Sequence, residues 1–279
     1  MSDKKLQIKD FEKNNYFATQ ELVDVVNAAL FLDKPLLIEG PAGTGKTYLA
    51  KSLSNMLSKE LIRLQCHEGI DEDKAIYEWD YKKQLLSIQN DKNEKDLFTD
   101  EYLIERPILK SLKTSDSLFL VDEIDRSDEE FEALLLEVLA EKQVTIPEIG
   151  TIAGEGSNFT ILTSNATRDL SEALRRRCIY FFLDYPSIDI ESKVIFSNVE
   201  NISNEKAKKY SLFSSFIRKL NLNKPPSLIE TVEWVKYNHE NNLEELDSNI
   251  GILIKDIDDQ KLYKEKLKEK NDFNNGTVT

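Results

Sequence analysis

Residues 40–47 read Gly40-Pro41-Ala42-Gly43-Thr44-Gly45-Lys46-Thr47. An apolar run, Pro35-Leu36-Leu37-Ile38, stands before them, and Leu49, Leu53, Met56 and Leu57 recur after them at helical spacing. Strand, glycine-rich turn and helix in that order give the pattern G-x-x-x-x-G-K-[ST] the context it requires. Glycines let successive backbone N–H groups turn in on phosphate oxygens, and the helix offers its positive N-terminal end. In that arrangement Lys46 reaches the β- and γ-phosphates as a point charge, and Thr47 offers its hydroxyl to Mg²⁺. The bland alternative, a glycine-rich turn with an exposed lysine, leaves the flanking strand and helix unexplained. All eight residues are candidate nucleotide ligands.

Working outward, the next strand to carry chemistry is Leu118-Phe119-Leu120-Val121-Asp122-Glu123. An apolar strand ending in two carboxylates puts them at the C-terminal edge of a sheet, where α/β ligands bind. Asp122 would then hold Mg²⁺ together with Thr47, and Glu123 would polarise the attacking water. A lone Asp-Glu pair is also a favourable charge near a helix start; the phosphate loop is what tips the balance. No NKxD-type guanine-reading motif is found, so ATP is preferred to GTP. Asn165 closes the strand Phe159–Ser164 in the layer where an amide can orient the water, or it satisfies turn backbone. Leu174-Arg175-Arg176-Arg177-Cys178 ends a short helix. Its arginines either complement the helix dipole or supply a finger to the γ-phosphate of a neighbouring subunit. Arg177 is the first choice and Arg176 the reserve, since sequence alone does not rank the three.

The surrounding pattern predicts an α/β fold: a P-loop NTPase αβα sandwich on a five-stranded parallel sheet, followed by a small helical lid. Strand-like runs alternate with helical ones through about residue 185. The set is Pro35–Ile38, Leu61–Cys66, Ser117–Val121, Phe159–Thr163 and Ile179–Leu183. Phe131, Leu134, Leu135, Val138 and Leu139 form one helix face. Residues 68–105 are charge-rich with aromatic punctuation, read as packing within an insertion before a client surface. Residues 143–158 read as a hairpin with Gly150, Gly154 and Gly156 in its turns. Beyond Pro186 three helices are expected, on Leu212–Leu220, after Pro225-Pro226-Ser227, and on Leu243, Leu246, Ile250, Leu253 and Ile257. The domains are thus expected at 1–185 and 186–262, with a charged, frayed tail at 263–279.

Composition narrows the class. The 279 residues carry 51 acidic and 37 basic side chains, a net charge of −14, which argues against a broad nucleic-acid surface. Two distant cysteines, Cys66 and Cys178, and isolated His67 and His239 make neither a disulfide framework nor a metal cluster. No run approaches a membrane span and the polar start is not a signal peptide, so a cytoplasmic protein is expected.

The phosphate loop, LFLVDEID, the hairpin, LTSN, ALRRRC and the helical tail together resemble the AAA+ ATPases of the MoxR type. RLQCHEGIDEDKAIYEWDYKKQLL, ERPIL, VDEIDRSDEEFEALLLEVLAEKQVTIPEIGTI, LTSNATRDLSEALRRRC and DYPS are similar to one branch, associated with maturation of molybdenum-containing carbon monoxide dehydrogenase. The likeness runs from about Tyr16 to about Leu262. It implies a Mg²⁺-dependent, ATP-hydrolysing chaperone that forms a homo-oligomer, usually a hexameric ring. It further implies action on a client enzyme with a von Willebrand A domain partner. It makes 143–158 the hairpin before the first sensor and places a helix-two insertion in 68–105. It offers Gln65 as a restraint on the catalytic glutamate and Arg126 as an arginine acting across the interface. One departure stands out: Lys224-Pro225-Pro226-Ser227-Leu228-Ile229-Glu230 holds no arginine where such proteins often carry a second sensor. Two rival readings are a DNA-directed motor, against which the charge argues, and a nucleotide-gated scaffold with little hydrolysis, which the missing arginine favours.

Overall fold

The computed structural model describes residues 5–90, 97–154, 156, 158–243 and 245–274. It divides into two compact units: Met1–Asn14, Thr19–Gly40 and Lys46–Leu183 form one, and Asn15–Ala18, Pro41–Gly45 and Asp184–Thr279 the other.

The first unit opens with α1 (Ile8–Lys13) and α2 (Gln20–Phe31), the latter started by Thr19, whose hydroxyl accepts from the Leu22 N–H. Then come β1 (Leu36–Glu39), α3 (Lys46–Leu57) and β2 (Glu60–Gln65). The insertion follows as α4 (Glu72–Ile76), β3 (Tyr77–Trp79), α5 (Tyr81–Asn90) and β4 (Leu103–Glu105), with β3 and β4 paired antiparallel. Trp79 is buried there and meets Tyr77 and Phe98 edge-on at 5.9 and 5.2 Å, so the aromatic punctuation packs the insertion. Next are α6 (Pro107–Lys113), β5 (Ser117–Asp122), α7 (Glu129–Glu141), the hairpin β6 (Gln143–Ile146) and β7 (Gly150–Ala153), β8 (Phe159–Ser164), α8 (Glu172–Arg177) and β9 (Ile179–Phe182).

Five of these strands form one parallel sheet in the order β2-β5-β8-β1-β9. The α/β fold read from the sequence is the fold observed. Burial explains why it was readable: β1 and β5 are buried at every position, as strands covered on both faces must be, whereas the edge strands β2 and β9 alternate. Leu37, Phe119, Val121 and Leu162 from the inner strands pack with Phe131, Leu135 and Val138 of α7 in the main core.

The hairpin differs in detail from the glycine reading. Its turn is Pro147–Ile149, and only Gly150 (φ +100°) serves it. Gly154 and Gly156 allow close approach instead: a Cβ on Gly156 would lie 2.0 Å from the Ser115 carbonyl oxygen.

The second unit contains α9 (Ile188–Asn198), α10 (Asn204–Arg218), α11 (Leu228–Glu240) and α12 (Ile257–Asn274). Ser227 caps α11 in a reciprocal box with Glu230, as Pro-Pro-Ser promised. The expected third helix on 243–257 is not one. Asn249 sits at φ +56° and Gly251 follows, so the chain makes only a 3-10 turn, Ile250–Ile252, and drops Leu253 and Ile254 into the core. The stretch expected as a tail begins inside α12, where Tyr263 is buried and Leu262 and Leu267 pack beside it. On α10, Leu212 is exposed while Tyr210, Ser211, Ser214 and Ile217 turn inward.

Candidate nucleotide site

The C-terminal ends of β1, β5 and β8 bring Gly40, Asp122, Glu123 and Asn165 to one edge of the sheet. β1 delivers Gly40, whose N–H donates to the Ser164 carbonyl at 3.2 Å. A Cβ there would meet the Leu183 carbonyl oxygen at 2.0 Å, so only glycine fits. Lys46 starts α3 and points its ammonium back, donating to the Gly40 carbonyl at 2.7 Å. Burial lowers its pKa against the pull of Asp125, Asp122 and Glu123, whose field it shares.

Thr47 and Asp122 meet directly. The threonine hydroxyl lies 3.0 and 3.1 Å from the two carboxylate oxygens, and Asp122 is 2% exposed. A hydroxyl and a carboxylate are hard oxygen donors of the kind Mg²⁺ selects, so the pair fits that ion. Thr163 of β8, which the sequence reading passed over, donates to Asp122 Oδ1 at 2.5 Å and accepts from the Glu123 N–H at 3.0 Å. Its place near the end of β8, two residues before Asn165, was the available signal. Glu123 itself leaves the strand at φ +57°, a conformation sparsely used outside glycine and concentrated at functional sites. Its carboxylate is 35% exposed and lies 3.4 Å from Arg126 Nη1.

Asn165 is joined to this group through backbone. Its N–H donates to Asp125 Oδ1 at 3.1 Å, and the Thr167 N–H and hydroxyl donate to Oδ2 at 3.0 and 2.6 Å. Burial alone would raise the Asp125 carboxyl; the bonds from Thr167 and Asn165 outweigh it and hold the group below the usual carboxylate range. Asp125 thus ties the turn after β5 to the turn after β8. The Asn165 amide itself is half-buried.

Loop residues Pro41–Gly45 belong to the second unit, where Gly43 is held at φ +75°. A Cβ on it would come within 2.2 Å of the Ser227 Cβ, and its carbonyl accepts from the Leu228 N–H at 3.2 Å. Thr44 turns its hydroxyl onto the Pro41 carbonyl at 3.0 Å. Ala42 stands in the same turn.

The three arginines of α8 separate. Arg175 donates to Glu39 at 2.9 Å and lies over the Tyr180 ring, whose hydroxyl also donates to Glu39. It is committed within its own chain. Arg176 makes an exposed i, i+4 pair with Glu172, and Arg177 is exposed. Neither is brought to Asp122 or Glu123 among the described contacts. The helix is anchored by a link not visible in the sequence. Buried Glu132 of α7 accepts from the Ser171 N–H at 2.9 Å and faces Arg168 at 2.5 Å.

In the second unit, Lys224 faces Asp256 at 3.7 Å and gives its N–H to Asp259. Arg218, the sole arginine beyond Arg177, is locked against fully buried Glu191 at 2.7 and 3.1 Å. Cys66 and Cys178 are buried fillers; burial pushes both thiols up to about 12. Among the described residues no group of three metal-ligating side chains occurs, and no helix is long and apolar enough to cross a membrane.

Comparison with known proteins agrees with this geometry. The family described as the AAA domain, dynein-related subfamily, matches residues 35–178, just over half the chain. An uncharacterized protein of Staphylococcus saprophyticus is 27% identical over 188 residues, covering 65% of this chain and 67% of its own length. One of Staphylococcus epidermidis is 27% identical over 182 residues, covering 63% and 65%, so the chain spans about two thirds of these relatives. The fold is similar to the crystal structure of a presumed ATPase from Cytophaga hutchinsonii, with a TM-score of 0.51 and 16% identity over 88% of this chain and 84% of that one. With its Lys46, Thr47, Asp122 and Glu123 gathered at one sheet edge inside the matched span, the chain belongs to the AAA domain family, dynein-related subfamily, a family of nucleotide-binding ATPases.

Proposed function

We propose that this ATPase is a Mg²⁺-dependent chaperone motor that works as a homo-oligomer, of ring form and most simply hexameric. It remodels or matures a client enzyme with a von Willebrand A domain partner. The observation that carries the hydrolytic part is the convergence of Thr47, Asp122, Thr163 and Glu123. When bound, Mg²⁺ supplies positive charge at the phosphate oxygens, held by Thr47 and Asp122. Lys46 swings its ammonium from the Gly40 carbonyl to the phosphates, Glu123 takes a proton from the attacking water, and Asn165 orients that water. Thr163 fixes the Glu123 backbone while bracing Asp122. Arg177, exposed and outside its own site, supplies the charge that completes a neighbour's site; Arg176 is the reserve, and Arg175 drops out because Glu39 holds it. The client and the partner rest on the sequence resemblance, and the −14 charge disfavours a DNA track.

One observation favours the scaffold reading: Arg218 is locked against Glu191, so the second unit has no spare arginine for a γ-phosphate. Turnover per subunit, measured with Mg²⁺ over a wide range of protein concentration, separates the two. The motor reading expects a rate that climbs with concentration and vanishes in Glu123→Gln. A flat, near-zero rate with measurable ATP binding, not raised by candidate partners, would replace it with the scaffold.

A further inference from the structure

Asp122 is crowded in a way its role with Mg²⁺ does not explain. Besides Thr47 and Thr163, it receives Arg63 from the edge strand β2. Nε and Nη2 of that guanidinium lie 3.0 and 2.6 Å from the single oxygen Oδ2. Nη2 also touches the Gln65 amide oxygen, so the guanidinium is held in place by a second group on the same strand face. The register makes the reach possible. β2 and β5 run parallel with Gln65 opposite Asp122 and Arg63 opposite Leu120, so Arg63 stands one step back on the same face and extends its side chain forward along the strand. Asp122 is 2% exposed and Arg63 46%, so a buried anion is neutralised by a cation that remains half in water.

Two cations now have a claim on one carboxylate. Mg²⁺ requires near-octahedral oxygen ligands at about 2.0–2.1 Å and tolerates little distortion. Oδ2 already accepts two guanidinium N–H groups and the Thr47 hydroxyl at 3.1 Å, so a metal at that oxygen must displace the arginine. The charges compound this: like charges brought to one anion repel, and each is worth less in the presence of the other.

We propose that Arg63 is a positioning residue that acts as a built-in rival to Mg²⁺ at Asp122. It holds the carboxylate in the nucleotide-free chain, gives way when the metal arrives with nucleotide, and so sets the Mg²⁺ concentration at which nucleotide binding becomes metal-assisted. The inference rests on the reading of Thr47 and Asp122 as the Mg²⁺ ligands. Edge-strand exposure suits the role, because the released guanidinium can pass into solvent without breaking the sheet.

The test uses the full chain and a fluorescent ATP analogue, with binding measured in EDTA and across a Mg²⁺ series for the native protein, Arg63→Gln and Arg63→Met. Arg63→Met keeps the aliphatic stem and serves if Arg63→Gln does not fold. The Mg²⁺ midpoint for enhanced binding is expected to fall about tenfold in either variant, the order of a charge-assisted pair half open to solvent. A midpoint within twofold of the native value, or a higher one, in a folded variant overturns the rivalry alone. Nucleotide binding that Mg²⁺ does not enhance in the native protein overturns the metal assignment and this inference together. A general structural role for Arg63 would weaken binding in EDTA and in Mg²⁺ alike, leaving their ratio unmoved.

Discussion

Three consecutive arginines on α8 offer a sharp experiment: Glu39 holds Arg175, Arg176 pairs with Glu172 at the surface, and exposed Arg177 is the proposed finger. Arg175→Ala removes a charge-assisted bond to Glu39, whose side chain is only 9% exposed, and leaves that carboxylate, among the described residues, with the Tyr180 hydroxyl. Such bonds are worth about 1.5–3 kcal/mol, and because Arg175 is 35% exposed the expected loss is nearer 1–2 kcal/mol. At roughly 2–4 °C per kcal/mol for a chain of this size, the thermal midpoint of the nucleotide-free protein should fall by about 2–8 °C. Arg176→Ala breaks an exposed i, i+4 pair and should cost about 0.3–0.5 kcal/mol. Arg177→Ala should leave stability within about 0.5 kcal/mol yet lower turnover by about 10³–10⁵, the range for an arginine finger. The assay pairs a thermal melt without nucleotide with ATP turnover at a protein concentration that saturates the native rate. A mixture of Arg177→Ala and Glu123→Gln chains should regain activity, since each supplies what the other lacks. The reasoning is refuted if Arg177→Ala and the Arg176/Arg177 double variant both keep more than a tenth of native turnover. It is equally refuted if Arg175→Ala loses turnover without losing stability.

Other expectations follow from buried groups. Asp125→Asn should lower stability at neutral pH and flatten the acid limb of the pH–stability curve. A carboxyl held below its unfolded value stabilises above about pH 4 and loses that contribution as pH falls through the folded value; urea melts at pH 3 to 7 would read it. Arg218→Met strands the Glu191 charge in a fully buried position and should cost about 3–5 kcal/mol. Adding Glu191→Leu should return most of that loss, and a double variant no better than the single would contradict the account. Neither cysteine should react with a thiol reagent at pH 8 in the native protein, because burial raises both thiols to about 12; two equivalents per chain should appear on unfolding.

What could be read from the sequence was what local chemistry dictates. Gly40, Lys46 and Thr47 were legible because a phosphate cradle constrains residue type at every step, and the inner strands because burial on both faces leaves no room for alternation. Asp122 and Glu123 stood out only because the phosphate loop stood nearby. Arg63 was illegible: an arginine in an edge strand looks like any solvated charge until the pairing of β2 with β5 sets it beside Asp122. The Arg168–Glu132 contact and the Asp125 bonds to Asn165 and Thr167 likewise span some forty residues of chain, a distance over which periodicity is silent. The failed helix at 243–257 teaches the converse. Apolar residues at helical spacing can also pack from a broken loop: with Asn249 and Gly251 interrupting the backbone, Leu253 is buried, Leu246 and Ile250 pack beside it, and Ile257 is left exposed.

The glycines behind the hairpin give that element a mechanical character. The Gly154 N–H donates to the Lys142 carbonyl at 2.6 Å, and Lys142 is itself pinned to Asp33 at 2.7 Å. Gly156 presses its backbone onto Ser115, two residues ahead of β5. The two legs are cross-braced at mid-length by the hydroxyls of Thr145 and Thr151, 3.0 Å apart. The hairpin is therefore a short beam built in at its root, with Ile146 buried and Ile149 packed against the main core near its tip. A load applied at that tip is carried as a torque at the root, and one of its bearings adjoins the foot of the strand whose head is Asp122.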